Sequence, residues 1–191
     1  MLHDLLVSNL WIGLTLWVIT YAADYYLTVL SAKLYEQIGR QFVATEGSLE
    51  LTPEYEQDIE ARRLLSPRFL KSTAFGCIFL LGIWYVAVFI PVVKLYYMFI
   101  LGALVLRQLA VIIRHVNNLT MYGLLRKEGA ATGKIEYRRW VAHRRAGVDL
   151  IAFGCLFLFS FAMTGQLFWA GGSLFCAATG AEHFKKGRQI A

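Results

Sequence analysis

Residues 5–23, 72–93 and 150–181 carry no charged side chain. A helix needs ~18–20 apolar residues to cross a hydrocarbon core. Each run is that long, and the last is nearly long enough to cross twice. Lipid offers the backbone no hydrogen-bond partner, so a run that crosses it must pair its own amides and carbonyls, as a helix does. A chain that is 58% hydrophobic and 17% charged could not cover a soluble surface. The 191 residues therefore predict an all-α fold, a polytopic integral membrane helix bundle with about five transmembrane helices. Residues 1–191 read as a single membrane domain. The first run lacks the basic leader of a secretory signal and exceeds its apolar length, so it reads as a retained helix.

The positive charge sorts by topology. Residues 33–71 hold six lysines and arginines, residues 126–145 hold seven, and the tail adds Lys185, Lys186 and Arg188. These are sixteen of the nineteen in the chain. Basic residues flanking spans remain cytoplasmic. The expectation is a multi-pass protein of the cell membrane, with its N-terminus outside and its C-terminus in the cytoplasm. Its net charge of +6 is thus explained without nucleic acid, and the lipid bilayer is its expected partner.

The first helix is expected from about residue 5 to at least Tyr35. An acidic surface helix should follow Thr52-Pro53, a cap followed by a first-turn proline, with its carboxylates in solvent. Ser66-Pro67 should open a second long helix, and Pro91 should mark the turn to a third. Asp149 should open the fourth, with a fold-back at Thr164-Gly165-Gln166.

Two elements recur in the same order. Ile59-Glu-Ala-Arg-Arg63 returns as Ile135-Glu-Tyr-Arg-Arg139, and Ala74-Phe-Gly-Cys-Ile-Phe-Leu80 returns as Ala152-Phe-Gly-Cys-Leu-Phe-Leu158. They suggest two parallel helix-loop-helix repeats, about 5–90 and 93–164, plus a fifth helix at about 167–184.

Ionisable groups inside spans are costly and are usually functional or paired. Asp24, Arg107, Arg114, His115, Glu182 and His183 fall in or at the inner ends of the odd-numbered helices. The repeat alignment sets most of them at one cytoplasm-facing level, with Arg107 about two turns further out. Asp24 should meet Arg114 or His115, and Gln108 should turn away from Arg107. These six form the candidate transport or structural charge cluster. Gly172, Cys176 and Gly180 form a line of small residues suited to close helix contact, within the bundle or between subunits.

Cys77, Cys155 and Cys176 show no paired spacing. No catalytic constellation, metal motif or cofactor fingerprint is present, so the sequence names no catalytic residue, no metal and no cofactor and does not point to an enzyme. Arg144-Arg-Ala-Gly-Val-Asp149 resembles the opening of the RDD membrane family over a handful of residues. The other acidic position of that pattern has no counterpart, and no family is assigned from it. The leading expectation is a small transporter- or channel-like protein acting as a homo-oligomer. The alternative is a non-catalytic membrane-complex subunit or scaffold whose cytoplasmic loops dock a partner. A lipid-modifying enzyme ranks third.

Overall fold

A computed structural model describes residues 2–45, 53–127 and 131–191. Helix α1 (Leu2–Ser8) leads into α2 (Leu10–Leu34), which continues through a π-helical turn (Tyr35–Gly39) and α3 (Arg40–Phe42). Strand β1 (Val43–Thr45), surface helix α4 (Pro53–Glu60), α5 (Pro67–Phe89) and α6 (Val93–Leu125) follow. Strand β2 (Ile135–Tyr137), α7 (Arg139–Thr164) and α8 (Leu167–Gln189) complete the chain.

Local chemistry sets the boundaries. Asn9 breaks the expected continuous first helix: its backbone is extended and its side-chain oxygen accepts from the Trp11 amide. Ser66 caps α5 by accepting from the amides of Arg68 and Phe69, with Pro67 in the first turn. Gly165 ends α7 at φ 66°, a left-handed conformation that suits glycine. Helix α7 begins at Arg139, so Asp149 lies in its middle and does not open it as expected. The Thr52 cap, Glu46 and Glu50 lie outside the described residues.

Four stretches are long and apolar enough to cross a membrane: Leu10–Phe42, Pro67–Phe89, Val93–Leu125 and Arg139–Thr164. Their outward faces carry exposed apolar side chains such as Phe75, Ile78 and Phe89 on α5, as lipid contact requires. The chain is thus a helical protein built to span a membrane several times. Helix α8, of 23 residues, is less apolar than these four stretches, because glycines occupy its face and Glu182, His183, Lys185, Lys186 and Arg188 fall in its last turns. Those glycines serve packing. A Cβ on Gly171 would overlap the Phe99 carbonyl of α6, and one on Gly102 would overlap the Phe168 carbonyl of α8. On its other side α8 meets α7, where Gly147 and Gly180 face each other's backbone. In lipid no hydrophobic force drives helices together, so close backbone approach of this kind supplies the association. The small-residue line at Gly172, Cys176 and Gly180 is therefore used inside the bundle.

Helices α2, α6 and α8 run parallel, and α5 and α7 run against them. The tight turns at 90–92 and 164–166 lie at one end. The opposite end carries the basic segments and a two-stranded parallel sheet, Val43 opposite Ile135 and Thr45 opposite Tyr137. The sheet joins the two long loops and was not expected from the sequence.

The repeated motifs fare unequally. Both Ala-Phe-Gly-Cys segments are helical, and both glycines admit a neighbour: Gly76 receives the Trp17 ring of α2, and Gly154 receives the Ser173 carbonyl of α8. The Ile-Glu-x-Arg-Arg copies differ in conformation. The first closes α4 and turns at Arg62, where φ is 51°, whereas the second is strand β2 leading into α7.

Candidate functional site

The apolar spans meet in a core centred on α6, where Tyr97, Met98, Leu101 and Ala110 are fully buried. Toward the basic end this packing opens into a chamber of about 190 Å³. Helix α2 contributes Tyr21, Asp24, Tyr25 and Thr28, one face over two turns, and α4 contributes Tyr55 and Ile59 from the loop side. Helix α6 contributes Arg107, Val111, Arg114 and His115, while Leu150 of α7 and His183 of α8 complete the wall.

Asp24 meets His115 as expected, with Oδ1 3.3 Å from Nε2. Thr28 Oγ1 donates to the Asp24 carbonyl at 2.8 Å and lies 2.9 Å from the same His115 nitrogen. With its own proton committed to that carbonyl, Thr28 accepts here, so His115 Nε2 carries a proton shared between Thr28 and Asp24. The other ring nitrogen, Nδ1, is buried without a hydrogen-bond partner. Arg114 pairs with Asp149 of α7, Nε to Oδ2 at 3.3 Å. One cross-link thus joins α2 to α6 and another joins α6 to α7.

Arg107 borders the same chamber despite its greater expected depth, because the chamber extends about two turns along α6, from His115 back to Arg107. Its Nη1 donates to Gln108 Oε1 at 3.0 Å, so Gln108 does not turn away. Its Nε is buried without a partner, and no carboxylate pairs with this guanidinium among the described residues. Glu182 lies outside the cluster in which it was expected. It is 58% exposed and pairs with Lys186 one turn along α8, at 2.7 Å. Adjacent positions on a helix lie 100° apart, so with His183 turned inward, Glu182 turns out.

A histidine missed in the sequence reading joins the site. His143 of α7 is 4% exposed, and its Nδ1 lies 3.0 Å from Nδ1 of His183. At least one ring must supply an unprotonated nitrogen for that contact. His143 shares a face with Ala146, Gly147, Leu150 and Gly154, so once α7 is extended back to Arg139 the spacing alone turns it inward.

The cover over the chamber is a hydrogen-bonded assembly. Tyr55 donates to Ser72 Oγ at 3.0 Å and is 2.8 Å from the Tyr21 hydroxyl, which therefore donates to it. Tyr25 donates to the Arg63 carbonyl at 2.7 Å. Asp58, expected in solvent, is 5% exposed. It accepts from the Ser66 hydroxyl and from Arg63 Nη1, locking the end of α4 onto the cap of α5. Glu56 of α4 reaches Arg139 of α7 at 3.6 Å.

No protein-family model, curated protein or solved structure matches this chain. Its own geometry carries the functional argument.

Proposed function

We propose that this chain is a small transporter-like membrane protein whose chamber binds a polar solute at the cytoplasmic side of the bundle. One observation carries the reading. A cavity large enough for several waters or one small ligand lies toward one end of the bundle, lined by charged groups from α2 and α6 and by His183 of α8. Such groups are expensive in a bilayer and belong where they face water, a partner or a substrate. Structural clamping accounts for the Asp24–His115 and Arg114–Asp149 pairs, but not for the cavity between them or for Arg107.

In this reading the bundle crosses the cell membrane five times, with the N-terminus outside and the basic loops in the cytoplasm. The chamber then lies at the cytoplasmic end beneath the α4 cover, which would have to move for a solute to enter, and the packed outer half is the closed gate. Asp24 and His115 link the two helices that would move relative to each other during a cycle, and so couple occupancy to movement. One chain lines the chamber alone, so the reading does not depend on the homo-oligomer expected from the sequence. The second reading, a scaffold subunit, is favoured by the β1–β2 pairing, which joins both long loops into one docking platform.

Purified protein reconstituted in liposomes tests the proposal. Solute-dependent flux should appear with the wild type and fall at least tenfold in Asp24→Asn, with assembly unchanged. A variant that lowers thermal stability in detergent while no solute tested moves through the wild type would favour the clamp and the scaffold.

A further inference from the structure

The strongest unresolved feature of the chamber is its charge. Two guanidinium groups, Arg107 and Arg114, face one acid, Asp24, which is already held by His115. Arg114 is matched by Asp149, which lies outside the lining. Arg107 has only the neutral Gln108, and its Nε is buried without an acceptor. Arginine cannot relieve this by losing its proton, because it stays charged at any relevant pH. A half-buried cation in a bundle calls for an anion or for water. Among the described residues no carboxylate lies within salt-bridge distance of Arg107; Glu182 feels its charge only at longer range and is paired with Lys186.

The shape of the site narrows the class of anion. At about 190 Å³ the chamber is smaller than the ~300–1,000 Å³ pockets that take drug-sized ligands. The enclosed volume suits a group of a few heavy atoms better than a whole nucleotide or an acyl chain. The planar guanidinium fork matches the paired oxygens of a phosphate or carboxylate. The Tyr25 and Thr28 hydroxyls are committed to the Arg63 and Asp24 carbonyls, so Arg107 is the donor that remains, and Val111 and Leu150 give the wall apolar sides.

We propose that the chamber is a site for a small oxyanion, phosphate in type, seated on Arg107. The anion neutralises the guanidinium and accepts from the donors that Gln108 leaves free. It is either a free inorganic ion or the headgroup of an anionic lipid entering from the cytoplasmic leaflet. This rests on the transporter reading for its biological meaning, but binding itself does not require transport.

The test is thermal unfolding of the purified full chain in neutral detergent, titrated with inorganic phosphate against chloride at matched ionic strength. A parallel arm compares nanodiscs of neutral lipid with nanodiscs containing phosphatidic acid. The wild type should show a saturable rise in Tm. A rise with inorganic phosphate assigns a free ion, and a rise only with phosphatidic acid assigns a headgroup. Arg107→Gln should weaken the response at least tenfold, and Arg107→Lys should retain part of it. Val111→Phe, which fills the chamber without touching a charge, should also remove it and stands in if Arg107→Gln does not fold. No rise in either arm, or a rise that survives both Arg107→Gln and Val111→Phe, overturns the site. Phosphate binding without flux in liposomes would leave the oxyanion site standing and remove the transporter reading. Cation flux without any anion response would do the reverse.

Discussion

The two halves of α6 have opposite surroundings. Toward the tight turns, Tyr97, Met98 and Leu101 are fully buried, and Gly102 lies against the backbone of α8 with no room for a methyl group. Toward the basic end, Arg107, Arg114 and His115 border a chamber. A single helix thus changes from a packing element to a site-forming one within about two turns. The difference separates two demands that membrane bundles must meet. Association comes from small residues and close contact, and polar chemistry is confined to the place where that contact is relaxed.

Substitutions that invade the packed half should have the largest effect. Gly171→Leu would drive a side chain into the Phe99 carbonyl of α6, which cannot yield without separating the helices. Overpacking typically costs ~1–3 kcal/mol, and a backbone obstruction puts this case at or above the top of that range. The expected result is loss of the monodisperse species on size-exclusion chromatography in detergent. Recovery of a stable protein would mean that α6 and α8 are not held at that distance.

The chamber cover comes next. Asp58→Ala removes the acceptor of Ser66 and Arg63, and Ser66→Ala removes both that contact and the α5 cap. Each should lower stability by about 1–3 kcal/mol, read as a drop in Tm. The double variant should cost less than the sum of the two, because they share one hydrogen bond. Strict additivity would deny that α4 is pinned to α5 through this pair.

Asp24→Asn should be milder for stability, about 1 kcal/mol, since His115 Nε2–H keeps Thr28 as an acceptor. Its effect on flux should be far larger than its effect on Tm. That split is what distinguishes the chamber from the packed half. Glu182→Gln should be smallest, within about 0.5 kcal/mol, because its salt bridge to Lys186 is exposed. A large effect there would restore Glu182 to the site.

Much of this was legible in the sequence, and the failures share a cause. Charge-free runs gave the membrane class, Ser66-Pro67 and Gly165 gave the element ends, and four helices of the expected character are present. Counting turns along parallel helices set Asp24, Arg114, His115 and His183 at one level, whereas it placed Arg107 two turns away from the group it borders. Facing was harder to read, because lipid-facing and core-facing positions are equally apolar and leave no amphipathic signal. Glu182 was therefore grouped with its inward neighbour His183, and the orientation of Gln108 was missed. Charge density misled at α7, where the basic residues from Arg138 to Arg145 resemble a loop but largely form the helix that carries His143. The second Ile-Glu-x-Arg-Arg copy takes strand form because Val43–Thr45 is available to pair with it, a long-range partner that no local pattern reveals.

The account's central claim is that the chamber is reached from the side of the basic loops, past the α4 cover, while the other half of α6 is sealed. Cysteine accessibility tests it most directly, in a chain carrying Cys77→Ser, Cys155→Ser and Cys176→Ala in place of its free thiols. Val111→Cys lines the chamber, and Leu101→Cys sits at a position with no exposed surface. Reacted with a membrane-impermeant thiol reagent in vesicles of both orientations, Val111→Cys should label only from the side bearing the Lys- and Arg-rich loops. Leu101→Cys should label from neither side. Labelling of Val111→Cys from the opposite face, or of Leu101→Cys from either, would contradict the account.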